Sequence, residues 1–157
     1  MSSARTPRPA PRLSRTPAPS GRGRSRGFAA VLIVLYGILA LAATGRASYE
    51  LTTKFAEAPL PYSLSLLAAI TYLAVTILLV RGGGASRTAL LLCCAELAGI
   101  VAVGSLTHLA PGLFPDSTVW SDFGAGYGYV PLILPVVAIL YLSRQRRRAG
   151  APPGAAA

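Results

Sequence analysis

Four long apolar runs, separated by short polar segments, constrain this chain more than any other feature of its sequence. They cover residues 27–44, 60–80, 88–106 and 127–142. A helix rises about 1.5 Å per residue and the hydrocarbon layer of a bilayer is about 30 Å thick, so each run crosses or nearly crosses that layer. The sequence therefore predicts an all-α fold, namely a polytopic membrane protein built as a four-transmembrane-helix bundle.

The remaining sequence leaves no room for a soluble domain. Of all residues, 53% are hydrophobic and only 13% are charged. The longest polar segment, residues 1–26, is shorter than the roughly 40 residues that an autonomous core needs. It is rich in proline, serine and arginine and has no acidic residue, which predicts a disordered basic N-terminal arm. We expect one membrane domain over residues 27–143, followed by a cytoplasmic tail at 144–157.

Basic residues lie almost entirely on one side of the predicted path. Of the 15 Lys and Arg, all but Arg46 and Lys54 fall in the arm, in the 81–87 turn or in the tail. The positive-inside rule then places both termini in the cytoplasm of a bacterial-type cell membrane. The Arg-rich ends are expected to attract anionic lipid headgroups of the bilayer. This distribution gives no reason to expect a nucleic acid partner.

The start of the chain also resembles a secretory signal peptide. An Arg-rich segment precedes an apolar core and the small-residue pattern Ala40-Leu41-Ala42. The apolar run continues to residue 44, and the basic segment is long and proline-rich, which favours a retained first span. Cleavage stays an alternative, because the other three spans would keep their orientation without the first.

The segment between the first two apolar runs, residues 45–59, is predicted to lie outside the cell as the first outer loop. It carries a stripe of charged residues at helical spacing. Arg46 is followed at intervals of four, four and three by residues of alternating charge, whereas Leu51 lies on the opposite side. This pattern predicts a separate amphipathic helix over residues 46–58, lying on the membrane or capping the bundle. The second outer loop, residues 107–126, is rich in aromatic residues, which are expected at the level of the lipid headgroups. The candidates for outer-face contacts are Glu50, Lys54, Glu57, Leu51, Phe55 and Trp120.

Glu96 is the outstanding polar residue inside an apolar run. It lies about eight residues, or about 12 Å, into the third run. Ionisable groups at such depth usually face a bundle interior or a wet cavity. The same depth along the first two runs reaches Tyr36 and Tyr72. The sequence thus predicts an intramembrane polar cluster of Glu96, Tyr36 and Tyr72, acting either as hydrogen-bonded glue between helices or as a proton- or cation-responsive site.

No residue pattern indicates catalysis or metal binding. Cys93 and Cys94 are adjacent, and no CxxC or Cys/His spacing accompanies them. We interpret both as small packing residues. The sequence predicts no catalytic residue, no metal site and no cofactor, and it does not indicate an enzyme.

Two stretches of the chain resemble a known group of proteins. They are ATGRASYELTTKFAEAPLPYSLSL at 43–66 and LFPDSTVWSDFGAGYGYVPLILPV at 113–136. Both are similar to small four-span integral membrane proteins of actinobacteria that have no assigned activity. The resemblance covers residues 28–143 and implies a membrane location and four spans, but it supplies no catalytic residues.

Two functions from different classes fit these features. The first is an accessory or scaffolding subunit of an envelope membrane complex, which contacts a membrane-protein partner or a second copy through its outer helix and aromatic loop. The alternative is a small ion- or proton-coupled transporter built around Glu96.

Overall fold

The described part of the chain is a bundle of four long helices. The computed structural model describes residues 22–82 and 86–150, with side chains for 27–81 and 86–150. The helices are α1 (Arg22–Thr53), α2 (Pro59–Gly82), α3 (Arg87–Leu109) and α4 (Val130–Ala149). Two short 3-10 helices, Pro111–Leu113 and Ser121–Tyr127, lie between α3 and α4. No strand occurs within these residues, so the prediction of an all-α fold is confirmed.

Three of the helices are long and apolar enough to cross a membrane. They are Gly27–Thr53, Pro59–Arg81 and Arg87–Leu109. The fourth helix qualifies only together with Ser121–Tyr127, from which it is bent by 100°. The apolar part of α4 ends before Arg144 and measures about 21 Å, less than the hydrocarbon thickness of about 30 Å. The chain therefore has three candidate spans, or four if the bent pair forms one span.

The first helix continues through regions that the sequence predicted as separate. The prediction of an independent amphipathic helix over 46–58 is wrong, because α1 runs unbroken to Thr53 and only turns follow. No proline lies between residues 20 and 58, and Gly45, which directly precedes the predicted helix, costs only about 1 kcal/mol in a helix interior. Residues 22–26, predicted as part of the arm, belong to the first turns of the same helix. The rest of the arm, residues 1–21, lies outside the described residues.

The helices pack in two pairs. α1 packs mainly on α2, and α3 packs mainly on α4, while α2 and α3 share fewer contacts. Small side chains fill the buried faces, among them Ala43, Ala68, Ala89 and Ala138. Such residues let helix backbones approach closely in membrane bundles. The few large polar side chains of the core are therefore held within narrow interfaces.

The connection between α3 and α4, residues 110–129, folds back into the bundle, and we call it the inserted connection. Trp120 is only 3% exposed, and its ring lies against Gly99 on α3. Since Gly99 precedes the end of α3 by about ten residues, the indole lies about 15 Å inside that end. The prediction that Trp120 lies at headgroup level is wrong. The physical reason is that the bundle interior offers both a flat surface for the ring and an acceptor for its N–H.

Candidate functional site: the internal polar cluster

Glu96 occupies the centre of the bundle, on the inner face of α3. Its side chain is 1% exposed, and its Oε2 accepts a hydrogen bond of 3.0 Å from the Tyr36 hydroxyl. Its other oxygen, Oε1, has no hydrogen-bond partner among the described residues. Buried polar groups are nearly always hydrogen-bonded, so an unpaired carboxyl oxygen at this position is a distinctive feature.

Tyr36 joins α1 to two residues of α3. Besides Glu96, its hydroxyl lies 3.7 Å from Sγ of Cys93, within hydrogen-bond reach for sulfur. Cys93 and Glu96 are three residues apart, so they share one face of the helix. Cys93 is buried, whereas its neighbour Cys94 is exposed. Our interpretation of both cysteines as plain packing residues missed this contact, although the three-residue spacing from Glu96 could have indicated it.

Tyr72 lies beside the pair but forms its hydrogen bond elsewhere. The ring centroids of Tyr36 and Tyr72 are 6.3 Å apart, with the ring planes tilted by 55°. The Tyr72 hydroxyl accepts a hydrogen bond of 2.8 Å from Nε1 of Trp120. The carboxyl of Glu96 lies within electrostatic range of Tyr72. The structure thus gathers the three predicted residues into one cluster and adds Trp120, which sequence reasoning had assigned to the surface.

Hydrogen bonds within the inserted connection hold Trp120 in place. The backbone N–H of Thr118 donates to Oγ of Ser121, and the N–H of Trp120 donates to Oγ1 of Thr118. The next residues, Asp122 and Phe123, have positive φ values of 49° and 58°. Each such conformation costs on the order of 1–3 kcal/mol and persists only when its surroundings enforce it. The packing of aromatic rings on α3 supplies that enforcement.

A second set of polar contacts joins the inserted connection to the C-terminal end of α1 and the N-terminal end of α2. Nη2 of Arg46 donates to the backbone oxygen of Ser117 at 2.7 Å and to its Oγ at 3.0 Å. Arg46 also forms an ion pair with Glu50. The Tyr62 hydroxyl donates to Oδ2 of Asp116 at 2.9 Å. We call these five residues the loop anchor.

The loop anchor determines the charge state of Asp116. Burial raises the pKa of this carboxyl, but hydrogen bonds from the Ser117 N–H and the Tyr62 hydroxyl outweigh that effect. The positive charges of Arg46 and Lys54 act in the same direction. The pKa of Asp116 is therefore held below its ordinary value, and the residue is a carboxylate at neutral pH.

The six predicted outer-face contact residues are not one surface. Glu50 and Trp120 are buried, Leu51 and Lys54 are half-buried, and Phe55 and Glu57 are exposed. The prediction of surface contacts is wrong for the buried pair. Glu50 is 5% exposed because its partner Arg46 faces the inserted connection, and Trp120 is inside because its N–H finds an acceptor there.

A groove of about 490 Å³ lies on the outward side of α3, next to α4. Its lining consists of Cys94, Leu97, Ala98, Val101, Ala102, Ser105 and, from α4, Ile139. The Ser105 hydroxyl donates to the backbone oxygen of Val101 at 2.7 Å, so it presents no unpaired donor to the groove. The sequence analysis missed this groove, although the small residues 94, 98 and 102 recur at intervals of one helical turn.

The chemistry open to these sites is narrow. Within the described ranges, no group of three or more His, Cys, Asp and Glu side chains is placed to hold a metal ion. The internal cluster can hold a proton and exchange hydrogen bonds. Comparison with known protein families, characterised proteins and solved structures finds no significant match. The resemblance to four-span actinobacterial proteins stays a prediction, and we infer function from the contacts of the site residues.

Proposed function

We propose that this protein is an accessory subunit of a membrane complex, and that the groove beside α3 binds a transmembrane helix of a partner protein. The observation that carries the proposal is the size of the side chains along the outward face of α3. Between residues 91 and 106 four of the seven exposed positions are small, namely Cys94, Ala95, Ala98 and Ala102. Small residues at such intervals allow a second helix backbone to approach closely.

The outward faces of the other long helices differ from this one. On α1 they present Val31, Val34, Ile38 and Leu41. On α2 they present Leu66, Ile70, Leu73 and Ile77. Lipid tails are as apolar as these side chains, so apolarity alone does not drive helix association in a bilayer. Close packing does, and the groove lined by Cys94, Ala98 and Ala102 gives α3 a surface for it.

In this proposal the bent pair forms a fourth span, with both termini in the cytoplasm. The partition of basic residues supports that orientation. Non-helical backbone at membrane depth is tolerated only where protein surrounds it or water lines it. The hydrogen bonds of Thr118 and Ser121 meet that condition for the inserted connection.

Photo-crosslinking in native membranes tests the proposal. A p-benzoylphenylalanine at position 101, on the groove, should form one protein adduct on illumination, whereas the same probe at position 70 on α2 should not. Val101 and Ile70 are both well exposed, so the two probes are matched. Adding Ala98→Phe should fill the groove and abolish the adduct. Ala42→Phe, on the outward face of α1, is the control and should leave the adduct unchanged.

Three results would overturn the proposal. Absence of a protein adduct at position 101 would mean that the groove holds lipid, and protein adducts of equal yield at positions 101 and 70 would mean that the contact is not specific to the groove. An adduct of twice the chain mass, suppressed by Ala98→Phe, would identify a second copy of this chain as the occupant and remove the need for a foreign partner.

The Tyr36–Glu96 hydrogen bond favours a second candidate, a small proton- or ion-coupled transporter built around Glu96. A buried carboxyl with one unpaired oxygen is the kind of group that transporters use to carry a proton. In liposomes containing a pH-sensitive dye, Glu96→Gln should abolish proton flux, while Glu57→Gln at an exposed position should preserve it. Equal flux through both variants would eliminate this candidate.

A further inference from the structure

Two polar groups at the centre of the bundle are each one hydrogen bond short among the described residues: the Tyr72 hydroxyl lacks an acceptor and the Glu96 carboxyl lacks a donor. The Tyr72 oxygen accepts from Nε1 of Trp120, so the hydroxyl hydrogen must point elsewhere, and no described residue accepts it. Oε1 of Glu96 lacks a donor. The two groups interact electrostatically but form no direct hydrogen bond. The Tyr36 ring, whose hydroxyl binds Glu96, packs on the Tyr72 ring with centroids 6.3 Å apart, so one unused donor and one unused acceptor belong to the same buried cluster.

We propose that Tyr72 and Glu96 bind one water molecule between them, and that this water couples Glu96 to the position of Trp120. Buried waters typically make two to four hydrogen bonds to otherwise unsatisfied groups. The water would accept from the Tyr72 hydroxyl and donate to Oε1 of Glu96. Leaving that oxygen unpaired would cost about 1–3 kcal/mol. The proposal depends on neither function suggested above.

The surroundings place few other titratable groups near this water site. Tyr36 faces Glu96 from α1, and Cys93 lies on the same face of α3. Tyr127, from the inserted connection, lies within electrostatic range of Tyr72. The buried residues of α4 that continue the core are apolar: Leu134, Pro135, Ala138 and Leu142. Glu96 is thus the group whose protonation changes the charge at the site.

The water completes a chain of hydrogen bonds from the inserted connection to α1. Trp120 donates to Tyr72, Tyr72 to the water, and the water to Glu96, which also accepts from Tyr36. Hydrogen bonds in such chains polarise one another, and an ionised acceptor strengthens them. Loss of the Glu96 proton should therefore alter the bond at Trp120, two links away.

Infrared and fluorescence measurements on the full chain in liposomes test this coupling. Trp120 is the one tryptophan of the sequence, so indole emission reports on it alone. We expect the emission to shift with pH in step with loss of the protonated Glu96 carbonyl band. Tyr72→Phe should move that band to higher frequency and uncouple the emission from it. Tyr49→Phe, at an exposed position, should change neither signal.

Further variants separate this site from other titrating groups. Glu96→Gln keeps hydrogen-bonding capacity and should remove both the band and the pH response of Trp120. Asp116→Asn, within the inserted connection, and His108→Gln, at the end of α3, should leave the coupled response intact. The proposal is wrong if Tyr72→Phe leaves the carbonyl band unmoved, or if exchange into heavy-oxygen water shifts no water O–H band in the wild type that Tyr72→Phe lacks.

Discussion

Gly104 on α3 is the position at which the seating of the inserted connection can be perturbed most directly. A Cβ at this position would lie 2.5 Å from Cδ1 of Phe123 and 2.8 Å from its backbone nitrogen. Rotation of the ring relieves the first contact but not the second. We expect Gly104→Ala to displace the inserted connection and to make Trp120 more accessible, with the four helices retained.

Two opposing effects set the magnitude. Replacing glycine by alanine inside a helix stabilises it by about 1 kcal/mol. Overpacking costs about 1–3 kcal/mol, and the upper end applies here because a backbone atom is involved. The net cost of about 2 kcal/mol lowers the ratio of seated to displaced connection about 30-fold, since each 1.4 kcal/mol is tenfold. Gly37→Ala meets nothing within 4 Å and should bring only the gain.

Acrylamide quenching of Trp120 emission in liposomes measures this displacement. Gly104→Ala should increase the quenching, whereas Gly37→Ala should match the wild-type protein. Equal quenching in the two variants would refute the reasoning, because it would mean that Phe123 does not pack on Gly104.

Three further predictions concern other contacts. Acid should loosen the loop anchor, because the carboxylate of Asp116 contributes fully above its ordinary pKa of about 4 and its contribution is lost as the pH falls through the lowered value; quenching of Trp120 should then rise over that acid range in the wild type and stay constant over the same range in Asp116→Asn. In intact cells, an impermeant thiol reagent should label Leu113→Cys but not Thr88→Cys, and the reverse pattern would overturn the proposed orientation. Glu96→Leu should lower the melting temperature by removing the acceptor of Tyr36, at a cost of about 1–3 kcal/mol, while Glu96→Gln should melt near the wild type; equal melting of the two variants would contradict a stabilising role for this bond.

Counting residues along the apolar runs predicted which polar side chains lie at the same depth, because the helical rise is fixed. Tyr36 and Glu96, placed at one level in this way, are hydrogen-bonded in the structure. Depth alone does not specify partners. The hydroxyl of Tyr72 bonds to Trp120, a residue 48 positions away in a non-helical segment. No periodic pattern in the sequence connects the two.

Charge spacing at the end of α1 was a poorer guide than depth. Spacing shows which residues share a helix face, but it does not show what that face packs against. The stripe that begins with Arg46 was expected to belong to a separate helix lying on the membrane or capping the bundle, yet Arg46 donates to the backbone oxygen of Ser117 in the inserted connection. A guanidinium carries several donors, and a nearby carbonyl oxygen is as good an acceptor as water. The inward orientation therefore depends on where the inserted connection lies, which the sequence of α1 does not contain.

Trp120 shows why an aromatic residue in a loop is hard to place from composition. Tryptophan favours membrane interfaces because it combines a large apolar ring with one N–H donor. The same combination favours the interior when a bundle provides a flat surface and an acceptor, as Gly99 and Tyr72 do. α4 begins only at Val130, and the inserted connection before it packs on α3. Placing the ring inside the bundle buries its apolar surface and pairs its N–H at the same time, which favours the interior over the membrane interface.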